Sequence, residues 1–227
     1  MNEPVPFPDR ATAGRLLADR LAGMELADPV VLALPRGGVP VGLEIARKLA
    51  VPLDLLIVRK IGVPWQPELA AAAIVEGEGE GAEVVRNDDV MRLAGLDEPT
   101  LDKLADKELR EIARRRDAYL AGRAPVPTAG RTAILVDDGI ATGATVRAAL
   151  IGLRRRGAAR LVLAVPVAPR ETLVALRPLV DDLVCLTTPE PFYAIGIHYR
   201  DFHQVGDDEV VAMLDAARRE TSEQPGG

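Results

Sequence analysis

The chain has 227 residues, a formal net charge of −6, 48% hydrophobic residues, 27% charged residues and only 3% aromatics. That length and balance suit one large globular domain with a buried core. The acidic surplus argues against a nucleic-acid binder, since Arg114, Arg115 and Arg116, and Arg154, Arg155 and Arg156, read as solvated helix faces. One cysteine, Cys185, excludes an internal disulfide, and two histidines beside it do not make a zinc site or a Cys–His nucleophile pair. No apolar run is long enough to span a bilayer, and the first residues lack a signal-peptide core, so a cytoplasmic location is expected.

Residues 9–21 predict an amphipathic helix with Ala13, Leu16, Leu17 and Leu21 on its apolar stripe. Residues 30–34 read as a buried strand, 39–49 as a helix and 53–58 as a second buried strand, which together make a βαβ unit. Residues 61–85 break the pattern with two prolines and a Glu-Gly run. Within them, 69–75 and 83–85 can pair as a hairpin. Asn87 caps a short helix that stops at Gly95, and 99–120 form a long charged helix. After a Pro/Gly linker at 122–130 come a strand at 133–136, a helix at 143–156, a strand at 161–167, a helix at 170–177 and a strand at 183–187. An irregular, aromatic-rich stretch follows, then a helix at 207–219 and a tail, 220–227, expected to be disordered. The alternation predicts an α/β fold with three layers, α/β/α, around a mostly parallel sheet.

The strand at 133–136 runs into Asp137, Asp138, Gly139, Ile140, Ala141, Thr142, Gly143, Ala144 and Thr145, and a helix begins there. The free N–H groups of that helix start suit an anion, Thr142 and Thr145 add hydroxyl donors, and Gly143 lets backbone approach a phosphate. The two aspartates would repel the same phosphate; they suit hydroxyls or a hydrated Mg²⁺. A sugar phosphate with free hydroxyls satisfies both halves. Pro35, Arg36, Gly37 and Gly38 follow the first strand, where paired glycines and a fixed positive charge can cradle pyrophosphate or simply make a tight turn.

Residues 134–145 resemble the phosphoribosyl pyrophosphate (PRPP) motif of type I phosphoribosyltransferases: a hydrophobic strand, two acids, then a small Thr-Gly-x-Thr loop. The likeness extends over about residues 30–205 and is nearest to bacterial members whose base substrate is unassigned. It implies that Asp137 and Asp138 bind the ribose 2′ and 3′ hydroxyls and a Mg²⁺ ion, directly or through water. It also implies that Ala141, Thr142, Gly143, Ala144 and Thr145 hold the 5-phosphate. Arg36, Gly37 and Gly38 would hold pyrophosphate, with a cis peptide between Pro35 and Arg36. Arg59 and Lys60, at the end of the second strand, would supply catalytic charge to the leaving pyrophosphate, and 61–85 would be the flexible loop that closes over PRPP.

Phe192, Tyr193, Tyr199 and Phe202 are four of the chain's six Phe and Tyr residues. The stretch at about 188–205 resembles the hood of hypoxanthine-guanine phosphoribosyltransferases, with Tyr193, or Phe192 in its place, stacking on the base; a small satellite core is the competing reading. Two departures separate the chain from that subfamily. Ala141 stands where those enzymes carry an Asp, and residues 161–168 hold no Lys to read a 6-oxo group. The expected activity is Mg²⁺-dependent transfer of a phosphoribosyl group from PRPP to a nitrogenous base, or the reverse, by a single-domain homodimer. A PRPP-binding regulator without turnover is the alternative. An Asp-nucleophile hydrolase is disfavoured, because Asp137-Asp138-Gly139 lacks the Asp-x-Asp spacing.

Overall fold

The computed structural model describes residues 6–77, 82–120 and 124–222. Helix α1 (Arg10–Leu21) starts at Asp9, whose carboxylate accepts the Thr12 N–H at 2.6 Å. Strand β1 (Pro29–Ala33), helix α2 (Gly38–Leu49) and strand β2 (Leu53–Leu55) follow. Then come β3 (Val58–Val63), β4 (Gln66–Glu76) and β5 (Ala82–Arg86). Helix α3 (Asp88–Ala94) is capped by Asn87 and stopped by Gly95 at φ 61°, as its sequence predicts. Helix α4 (Glu98–Leu120), β6 (Thr132–Val136), α5 (Ala144–Arg155), β7 (Arg160–Val167), α6 (Arg170–Leu176), β8 (Asp182–Thr187) and α7 (Asp207–Ser222) complete the chain.

The main sheet has the order β2-β1-β6-β7-β8, with every neighbouring pair parallel. Alternate residues of its central strands face two cores. Val31, Ala33, Ile134, Val136, Val162 and Ala164 join α1, α2 and α7, whereas Val30, Leu32, Ala133, Leu135, Leu161 and Leu163 join α5. A strand covered on both faces reads as a continuous apolar run, which is why these strands are visible in sequence. On α1 the stripe is Ala13, Leu17 and Leu21; Leu16, expected on it, is 46% exposed.

Residues 58–86 depart most from expectation. The stretch expected as a flexible loop forms an antiparallel sheet in the order β3-β4-β5. The predicted hairpin is present, pairing Ala73 with Val85, Ile74 with Val84 and Val75 with Glu83. This sheet lies between helices: Ile61, Val63, Ala72 and Ile74 share a core with α4, and Ala73, Val75 and Val85 share one with α5. Burial on both faces erases the polar–apolar alternation that marks a surface strand. The single strand expected at 53–58 is divided because Leu55 still pairs with Ala33 in the main sheet while Val58 already pairs with Val75 in the small one. Residues 78–81 of the Glu-Gly run lie outside the described residues. So do 223–227 of the expected tail, but its first residues belong to α7, where Glu220 accepts two hydrogen bonds of 2.8 Å from Arg47.

Candidate functional site

The chain leaves β1 towards β2 and leaves β6 towards β7, in opposite directions, so the switch of strand order falls between β1 and β6. Ligands in open α/β sheets sit beyond the strand ends at that point. Two of the loops picked out in sequence, 34–38 and 137–145, meet there. The Leu34 N–H donates to the Val136 carbonyl at 2.9 Å, which joins the loops at their roots. The Pro35–Arg36 peptide is cis.

Gly37 and Gly38 make the closeness possible. A Cβ on Gly37 would lie 2.1 Å from Asp138 Oδ2, and one on Gly38 would lie 2.7 Å from the Val136 carbonyl oxygen. The expected nest of free amides is smaller than its sequence suggests, because the Gly38 N–H already donates to the Leu34 carbonyl at 3.0 Å. Arg36 reaches away from the loop to Asp207 Oδ1 at 3.5 Å, and the same oxygen accepts the Tyr119 hydroxyl at 2.8 Å.

The acid pair is held in place. Asp137 Oδ1 accepts the Asp138 N–H at 2.9 Å. Burial, then the charge of Asp138, push the Asp137 carboxyl well above the ordinary carboxylate range. Asp138 Oδ2 accepts from Arg10 Nε at 2.7 Å, with both side chains nearly buried. Downstream, Ala141, Thr142 and Ala144 are exposed and Thr145 is half-buried. Gly143 caps α5 at φ 78° and, lacking a side chain, makes no cap bond of its own. The Thr172 hydroxyl of α6 donates to the Ala141 carbonyl at 2.7 Å and so fixes the back of the loop. An exposed loop over a helix N-terminus is suited to an anion.

Arg59 and Lys60 are not placed as expected. They lie inside β3, not at the end of β2, and neighbouring strand residues point to opposite faces. Arg59 donates to Glu108 Oε2 of α4 at 2.8 Å. Lys60 lines a cavity of about 570 Å³ with Arg86, Arg147 and Ala144.

The hood at 188–205 contains a short 3-10 turn, Ile195–His198, and leans on the acid loop: a Cβ on Gly139 would lie 2.6 Å from Ile195 Cγ2. Its rings divide. Tyr199 is buried and donates its hydroxyl to the Asp138 carbonyl at 2.5 Å. Phe192 packs with Ala13 and Val167 and stacks on His198 at 5.5 Å. Both rings, Tyr199 and Phe192, belong to a small core with Ala13, Val167, Phe7 and Ile195, in which Phe192 is half-buried. Tyr193 is 77% exposed and offers a free face.

The residue missed in sequence is Arg10. A signal for it exists, since it lies on the same helical stripe as Ala13, Leu17 and Leu21. A cation on a buried stripe requires a buried anion.

The phosphoribosyl transferase domain family matches residues 10–199. Two proteins of Mycobacterium tuberculosis, from strains CDC 1551 / Oshkosh and ATCC 25618 / H37Rv, each carry the provisional name phosphoribosyl transferase. Each is 50% identical over 217 residues, covering 96% of this chain and 48% of the relative. The chain therefore spans about half the length of the curated relatives it matches. The crystal structure of TT1426 from Thermus thermophilus superposes with a TM-score of 0.82 at 41% identity, over 92% of this chain and 98% of that one. The chain belongs to the phosphoribosyl transferase family.

Proposed function

We propose that the chain binds PRPP across the β1–β6 crevice and transfers its phosphoribosyl group to a nitrogenous base, releasing pyrophosphate. The observation that carries this reading is the contact of the two loops. Asp138 packs so closely on Gly37 that no side chain fits between the acid pair and the 35–38 turn. One ligand spanning that junction meets carboxylates, a helix N-terminus and a cationic turn together.

The amides at the start of α5 and the hydroxyls of Thr142 and Thr145 would hold the 5-phosphate. Asp137 and Asp138 would accept hydrogen bonds from the ribose hydroxyls. Arg36, with the 37–38 turn, would face the pyrophosphate after releasing Asp207. No protein nucleophile is needed: the C1–pyrophosphate bond breaks as the base nitrogen attacks, and the protein supplies orientation and charge. Two adjacent carboxylates fit Mg²⁺, a hard cation that takes one or two protein carboxylates together with phosphate oxygens. When bound, it would neutralise charge on the leaving pyrophosphate. Lys60, which shares its cavity with Ala144, is the candidate for added charge from the small sheet; Arg59 would first have to leave Glu108.

Tyr193 would form one wall of the base pocket. Without a carboxylate at Ala141 or a Lys in 161–168, the base would be held by stacking and backbone hydrogen bonds, so hypoxanthine and guanine should be poor acceptors. A cytoplasmic homodimer is part of this reading; among the described residues, no helix is long and apolar enough to cross a membrane. One observation favours the regulator alternative: Arg36 and Arg59 both have carboxylate partners. Pyrophosphate release from Mg²⁺–PRPP across a panel of bases separates the readings. Release stimulated by at least one base supports the transferase, tight PRPP binding with no release supports the regulator, and no PRPP binding overturns both.

A further inference from the structure

We infer that Arg10 is a positioning residue that orients the Asp138 carboxylate for the ribose. This rests on the reading of Asp137 and Asp138 as the ribose acids. Arg10 opens α1, far in sequence from the PRPP motif, yet its guanidinium is fixed on three sides. Nε donates to Asp138 Oδ2 at 2.7 Å, Nη1 donates to the His203 carbonyl at 2.8 Å, and the group lies 3.9 Å from the centroid of the Phe202 ring. The Arg10 and Asp138 side chains are only 8% and 11% exposed. The Tyr199 hydroxyl, on the ring that stacks with Phe202 at 5.2 Å, donates to the Asp138 backbone carbonyl.

α1, the acid loop and the hood are thus tied through one guanidinium. A planar fork with fixed donor directions transmits geometry: the hood sets the plane of Arg10, and Arg10 sets the carboxylate. Oδ2 is then committed to Arg10, and the plane of the Asp138 carboxylate is fixed with it. A pair this buried is weak evidence for stability, since apolar residues of similar volume often serve as well. Its location on one of the two motif acids is what gives it a role in binding.

The test is to titrate Mg²⁺–PRPP and inorganic phosphate separately into the wild-type chain, Arg10→Met and Arg10→Lys. Phosphate reports the helix-terminus loop, and PRPP adds the ribose. Arg10→Met should weaken PRPP about 10-fold or more while phosphate affinity stays within about 2-fold. Arg10→Lys should recover part of the loss, since an ammonium supplies the charge without the fork. Equal weakening of both ligands would make Arg10 merely structural, and unchanged PRPP affinity would remove it from the site. If Arg10→Met fails to fold, Phe202→Leu tests the same link. It should weaken PRPP about 3-fold and leave phosphate unaffected, and no change in either would overturn the proposal. A wild-type chain that binds phosphate but not PRPP would instead refute the ribose reading itself.

Discussion

A methyl group at position 37 would stand 2.1 Å from Asp138 Oδ2, a separation that no side chain tolerates. Gly37 has φ −62°, so the position demands glycine for contact, not for torsion. We expect Gly37→Ala to cost about 1–3 kcal/mol of stability through overpacking. It should also weaken PRPP binding, because Asp138 must give way. Thermal melts and PRPP titration together check this; a variant with wild-type values for both would show that the two loops do not touch at Gly37. Asp137, Asp138 and the glycine pair are legible in sequence because strand, acids and turn are contiguous. Arg10 shows in sequence only as a cation on a buried stripe, and its partner, 128 positions away, does not show at all. Arg59 and Lys60 are misplaced by sequence because the strand containing them begins just after another ends, with only buried apolar residues between.

The antiparallel sheet formed by β3, β4 and β5 occupies the place expected for a flexible loop. Its middle, Ala71, Ala72, Ala73, Ile74 and Val75, is buried between α4 and α5, while Trp65 in the β3–β4 turn is 68% exposed. Hydrogen exchange should therefore show residues 71–75 protected with or without ligand, and residues 63–66 protected only when Mg²⁺–PRPP is present. Uniform slow exchange across 63–75 in the free protein would make the whole sheet a rigid structural element. The hood makes a second prediction. Hydrogen bonds that the His203 imidazole donates to Asp201, then to Glu209, raise it above its ordinary value of 6.5. A folded-state value above the unfolded one means that its contribution is fully present below about pH 6.5 and is lost as pH rises through the raised value. The melting temperature of wild type minus that of His203→Gln should be positive near pH 6 and shrink to about zero by pH 8.5; a pH-independent difference would contradict the assigned contacts. The periodic helices and the doubly covered strands of the main sheet are readable in sequence. Of the small sheet, the β4–β5 hairpin is readable in sequence; β3 is not, because it begins just after β2 with only buried apolar residues between.

The parallel order β2-β1-β6-β7-β8 places the switch of direction between the two strands whose loops carry the charged and glycine residues. Helix α6 braces the loop at 141–145 through Thr172, α1 supplies Arg10, and the hood closes over Gly139 and the Asp138 carbonyl. Elements far apart in sequence, α1 and the hood, therefore converge on the acid pair. The most direct measurement is calorimetric titration of Mg²⁺–PRPP into the wild-type chain and into a variant carrying Asp137→Asn and Asp138→Asn. Circular dichroism on the same samples confirms that both are folded. Losing two charge-assisted hydrogen bonds to the ribose should cost about 3 kcal/mol or more, roughly a 100-fold loss of affinity. Unchanged PRPP affinity in the folded double variant would contradict the assignment of the β1–β6 crevice as the PRPP site.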